Sequence, residues 1–199
     1  IGRCWCPAPF GLRRQLTRSL GTPRKKMASA HEIALDVLRS FGPNVVARRS
    51  PMSYGQYAQA IGKDPREYGL AVGKAMHAIG ALCVVKQIPV APLYWVQRAD
   101  GEDRGIFESN ALERQHIIES KDIDTMYVVA REYKYNISEF DSLEASLRKS
   151  IDERKITHWS PHEIWQLTFN LKPSGDIRPY YARAMDRYRS ILAEIKSKR

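Results

Sequence analysis

MSYGQYAQAIGKDPREYGLAVGKAM, residues 52–76, is the stretch whose reading decides the fold. Ser53 and Gln56 stand at capping-box spacing, where the serine side chain accepts from a backbone N–H and the glutamine reaches back. This predicts a short helix after Ser53 that stops near Gly62. Asp64 with Glu67 repeats the spacing, and Pro65 takes the first helical position, where its missing N–H costs nothing. The next helix is therefore expected from Asp64 to about Ile79, with Gly80 beyond it. Only Gly62, Lys63 and Asp64 separate the pair, and helices joined by so short a glycine-containing turn form a helix-turn-helix.

Upstream, Ile33, Val37, Leu38 and Phe41 lie on one face of a helix expected from about Ala30 to Phe41, ended by Gly42-Pro43. Downstream, ALCVVKQIPV and APLYWVQ are rich in β-branched and aromatic residues and read as strands. Asp100-Gly101 is a hairpin turn signal, and GIF (residues 105–107) reads as the returning strand. A hairpin directly after a helix-turn-helix is a wing. A further helix is expected from about Ala111 to Ser120, opened by Asn110 with Glu113. Beyond it, IDTMYVVAREY reads as a strand, while SEFDSLEASLRKSIDE, SPHEIWQLTF and PYYARAMDRYRSILAEIKSK read as helices. In the last, Ala182, Met185, Tyr188, Leu192 and Ile195 recur at helical spacing. Ser29 with Glu32 and Ser160 with Glu163 add helix starts, and LKPSGD reads as a loop.

The expected fold class is thus α+β: a winged helix-turn-helix core with an additional mostly helical C-terminal region. Its parts are a disordered basic extension (1–26), a winged-helix domain (28–121), and a C-terminal extension or subdomain (122–199).

Hydrophobic residues at 43% and charged residues at 27% fit a soluble globular chain, and no apolar run is long enough to suggest a membrane span. The net charge of +10 suggests a polyanionic partner, but seven of the cations lie in residues 1–26, which hold no acid. Setting them aside leaves +3 for residues 27–199, so a nucleic-acid reading must rest on architecture. The N-terminal segment reads as translated sequence ahead of a natural start at Met27, as an organellar presequence, or as a basic arm over phosphates. Of Cys4, Cys6 and Cys83, only Cys83 lies in the body, which fits an intracellular, reducing compartment.

The predicted second helix of the motif carries Tyr68, Val72, Ala75 or Met76, and Ile79 on its inner face. Its other side carries Arg66, Gly69, Leu70, Gly73, Lys74 and His77. Two helical glycines one turn apart let another backbone approach closely. Either that backbone is nucleic acid, with Arg66 and Lys74 at phosphates, or it is another helix of the same protein. Arg98 and Arg104 flank the expected wing tip and can reach phosphates, or are solvated surface charge. No metal or cofactor is expected: His158 and His162 straddle a helix start, His31, His77 and His116 are scattered, and no phosphate-binding loop occurs.

These residues resemble a family. Residues 52–76 are similar to the DNA-binding segment of the O6-alkylguanine-DNA alkyltransferases and alkyltransferase-like proteins, where a Tyr-containing short helix precedes a helix of pattern R-A-V-G-G-A. IPVAPLYWVQRADGEDRGIF resembles that family's I-P-x-x-x-P-C-H-R-V-V-x-x-D-G segment, so the resemblance spans about residues 31–121. It implies that Tyr54 contacts a phosphate beside a flipped nucleotide. It also implies what is missing. Leu93 stands at the reactive cysteine, Tyr94 at its activating histidine and Trp95 at the following arginine. Leu70 stands at the arginine that enters the base stack, and Lys121 stands near the family's glutamate. Alkyl transfer needs an activated thiolate, so no transferase activity is expected. What remains is a non-enzymatic binder of duplex DNA, as the alkyltransferase-like proteins are, with modified bases and other repair or regulatory proteins as candidate partners. Leu70 would wedge between bases or mark the loss of base flipping with only general DNA binding left, and Leu93, Tyr94 and Trp95 would line a base pocket or else belong to the core. The rivals are a winged-helix DNA-binding regulator without lesion preference and a protein-interaction module on a decayed DNA-binding fold.

Overall fold

The computed structural model describes residues 30–97, 120–153, 176 and 178–199. In chain order these form α1 (Ala30–Val46), β1 (Met52–Ser53), α2 (Tyr54–Ala60), α3 (Pro65–Val85), α4 (Pro92–Trp95), β2 (Val96–Gln97), α5 (Ser120–Glu132), α6 (Ile137–Glu153) and α7 (Arg178–Ser197). The N-terminal extension, the Asp100-Gly101 turn with the GIF strand, Arg98 and Arg104 lie outside the described residues. So do most of the expected 111–120 helix, the LKPSGD loop except Asp176, SPHEIWQLTF with His158 and His162, and the starts at Ser29, Asn110 and Ser160.

The helix-turn-helix is present. Ser53 accepts from the Gln56 N–H while the Gln56 side chain accepts from the Ser53 N–H at 2.7 Å, closing the capping box over α2. Gly62 takes a left-handed φ of +70°, which reverses the chain; the space around it is open, so it is the backbone conformation that favours glycine. Asp64 then caps α3, accepting from the Arg66 N–H at 2.8 Å.

The winged α+β class is not what folds; the described chain is mostly helical. ALCVV, read as the start of a strand, continues α3 to Val85. Ala81, Leu82, Cys83 and Val84 are all buried there. A short apolar run reads the same on a covered strand and on a helix buried all round, and tertiary burial overrides β-propensity. APLYWVQ gives the single turn α4 and the two residues of β2. Among the described residues β2 pairs with β1, and the pairing is parallel, Met52 opposite Val96 and Ser53 opposite Gln97. IDTMYVVAREY, also read as a strand, lies in α5, with Ile123, Met126, Val129 and Ala130 buried at helical spacing.

Two helix ends differ for local reasons. Gly42-Pro43 does not end α1, which runs on to Val46 with Pro43 exposed on its outer side. Gly42 is there for packing: a Cβ on it would stand 2.9 Å from the Phe140 ring of α6. The second end is the start of α6, where Asn136 and Glu139 build a reciprocal cap not among the expected helix starts. The Glu139 N–H donates to Asn136 Oδ1 at 3.1 Å, and the Asn136 N–H donates to Glu139 Oε2 at 2.9 Å.

By length and composition α3 would suit a membrane span, yet here it is the central core helix, packed on α1 and α2 and touched by α4, α6 and α7. α7 lies mainly along α5. Its buried stripe is Tyr181, Ala184, Met185, Tyr188 and Ile191; Ala182, counted in the expected stripe, is exposed. The loop after α3 is held from both later helical regions. Tyr135 donates to the Pro89 carbonyl at 3.1 Å and Tyr188 to the Ile88 carbonyl at 2.6 Å.

Candidate nucleic-acid interface

The first turns of α3 present the surface singled out in the sequence. Arg66 is exposed, and Leu70 is 76% exposed, an unusual display for a leucine on the core helix of the fold. Gly69 stands beside it with open space where a Cβ would project. Lys74 and His77 follow along the helix, both half-buried. Val72, Ala75, Met76 and Ile79 point the other way into the core.

The two glycines separate in role. A Cβ at Gly73 would meet the Tyr54 ring at 3.7–3.9 Å, so that bare patch is already covered by α2. Close packing within the protein accounts for Gly73; Gly69 alone faces open space. Tyr54, half-buried, therefore lies against α3 beside the surface on which Leu70 stands.

Lys63 joins this surface from the turn. It is exposed in the turn, and its ammonium lies 5.4 Å from the centre of the Tyr68 ring. That contact adds a cation at the start of α3, next to Arg66. Its signal was available, a lysine following the turn glycine and five residues before a tyrosine.

Leu93 and Trp95 do not line an open base pocket; both are core side chains, 2% and 3% exposed. The single turn of α4 places them inward because α5 packs over it. Tyr94, between them, is half-buried and edge-on to Trp95 at 5.1 Å and to Tyr127 of α5 at 5.6 Å. The aromatic run is thus occupied by its own neighbours. Cys83 is likewise buried, and burial pushes its thiol up to about 12, keeping it protonated at neutral pH. Burial also lowers the His77 imidazole to about 4, so it is neutral at pH 7 and adds no charge to the α3 surface. Among the described residues no cluster of three or more His, Cys, Asp or Glu is placed to hold a metal ion.

No family model, curated protein or solved structure matches this chain.

Proposed function

We propose that this helical unit binds duplex DNA without chemistry of its own, docking the outer face of α3 in the manner its resemblance to alkyltransferase-like proteins implies. The observation that carries the reading is Leu70, 76% exposed on the second helix of a helix-turn-helix, with open space at Gly69 and the cations Arg66 and Lys74 a turn to either side. Arg66, Lys63 and Lys74 supply contacts to phosphates, which position a protein on the duplex without reading its sequence. The bare flank at Gly69 admits a sugar-phosphate backbone. Leu70 is then the group that meets the bases, as apolar wedges do when they part a base step. The non-enzymatic part of the proposal rests on Leu93 standing where the resembling enzymes carry their reactive cysteine. Recognition of a modified base is its finer part, and Leu70 rather than residues 93–95 would carry it.

Binding of the chain to a duplex with one O6-methylguanine, and to the unmodified duplex, tests this at several salt concentrations. Tighter binding to the modified duplex, lost in Leu70→Ala, is the expected result. Equal binding with a steep salt slope makes the protein a DNA-binding regulator without lesion preference. No binding to either, or binding unchanged in an Arg66→Gln/Lys74→Gln variant, overturns the α3 reading and favours a protein-contact module.

A further inference from the structure

The charge of this protein is not spread evenly, and its second concentration is on α7. Residues 178–199 hold seven Arg and Lys against Asp186 and Glu194, a net of +5. With these and the seven cations of residues 1–26 set aside from the total of +10, residues 27–177 sum to −2. The cations of α7 form two rows flanking its buried stripe. Arg178, Arg189 and Lys196 fall within about 20° around the helix axis, and Arg183, Arg187 and Lys198 within about 60°.

The first row is largely engaged. Arg178 pairs with Asp176 at 2.8 Å, and Arg189 pairs with Asp122 at 2.9 Å and Asp186 at 3.3 Å. The second makes no ion pair among the described residues, although Arg183 lies over the Tyr180 ring at 4.8 Å from its centre. Arg187 and Lys198 instead line an open groove of about 250 Å³ between α7 and the end of α5, with Lys134, Tyr133, Glu132 and Glu194. Glu132 is already neutralised by Arg131 at 2.9 Å and Arg199 at 3.0 Å. The groove is left with three cations facing one acid.

We propose that this row and groove are a second polyanion site, which takes the sugar-phosphate backbone of a nucleic acid. Three arguments select that ligand. The row from Arg183 to Lys198 spans about 22 Å, room for several successive phosphates and far more than a single anion needs. Arginines lead the row, as suits oxyanions approached from a helix side. The apolar face of α7 is fully used: Tyr181, Ala184, Met185, Tyr188 and Ile191 are each at most 4% exposed, so none can enter a bilayer. The site does not depend on the α3 surface. It lies toward the other end of α3, whose following loop Tyr188 holds.

The test is fluorescence anisotropy of the full chain on a mixed-sequence 30-base-pair duplex between 50 and 200 mM salt. Against the parent, a Lys134→Gln/Arg187→Gln/Lys198→Gln variant should bind at least about tenfold more weakly, with a log–log salt slope smaller by about 2–3. A Lys134→Arg/Arg187→Lys/Lys198→Arg variant should keep the parent slope, and thermal melts should show all three proteins folded alike. An unchanged slope in the folded Gln variant overturns the proposal while leaving the α3 reading standing, because Arg66 and Lys74 are intact in it. No duplex binding by the parent overturns both. Loss of binding to phosphatidylserine vesicles, with the duplex unaffected, overturns it in favour of a membrane surface.

Discussion

Tyr57 shows how much one hydroxyl ties together in this fold. It accepts from Asn44 Nδ2 at 3.2 Å and donates to the Trp95 carbonyl at 3.3 Å, joining the end of α1, the body of α2 and the end of α4. All of this is buried, and burial raises the phenol well above its usual range, so it stays a neutral donor. Tyr57→Phe leaves the Trp95 carbonyl without this donor and the Asn44 amide with only the weaker bond to the Ser50 carbonyl at 3.4 Å. The expected loss is about 1–3 kcal/mol, the cost of stranding buried polar groups, read as a lower urea midpoint at unchanged m-value. No sequence pattern pointed to this: a tyrosine at an inward helix position predicts burial, not partners that come from residues 44 and 95. Leu70 is the opposite case, since its place opposite the apolar stripe was legible directly from helical period.

Among elements, α3 was legible where its chemistry is local and illegible where packing decides. Its start is written in Asp64-Pro65, although Asp64 caps the Arg66 N–H and does not close the box with Glu67 that the spacing suggests. Its end is not written, because ALCVV serves a covered strand and a fully enclosed helix equally well. The same ambiguity hid α5, whose Ile123, Met126, Val129 and Ala130 carry a helical period under β-branched composition. Gly42 reads as a stop because a glycine often follows a helix; the reason it is there, the Phe140 ring, is nearly a hundred residues away. Gly69 gives a prediction at this scale. With nothing within 4 Å of its Cβ position, Gly69→Ala should stabilise the protein by about 1 kcal/mol through helix propensity. It should also weaken duplex binding, because the added methyl stands where a nucleic-acid backbone would press. A variant that melts higher and binds unchanged would show that nothing approaches α3 there.

Over the whole molecule, stability should respond to acid through His77. Its Nδ1 is shielded from solvent, and burial lowers the imidazole from 6.5 to about 4. The unfolded chain takes up the proton near pH 6.5 while the folded chain resists until about pH 4, so stability is complete above pH 6.5 and falls as pH drops between those values. The loss should be about 2 kcal/mol, after allowance for the half-buried state of the residue, at 1.36 kcal/mol per pH unit. Urea midpoints between pH 4 and 8 should show that slope, and His77→Gln should flatten it. Two of the described C-terminal segments, α6 and α7, are legible as helices in the sequence. How they close over α3 is not, because those contacts join residues far apart in the chain.

The loop after α3 has a consequence in time. Its two carbonyls are held by Tyr135 and Tyr188, and Tyr188 lies 100 positions beyond Ile88. A ribosome needs about 5–20 s to add that many residues. For that interval the far end of α3 is made but not clasped, and its apolar Ala81–Val84 turn waits for the cover that α7 brings. The nascent protein is thus most exposed to misassociation in its middle, and a chaperone that shields residues 81–91 until α7 emerges would raise the yield of folded chain more than one acting on either end.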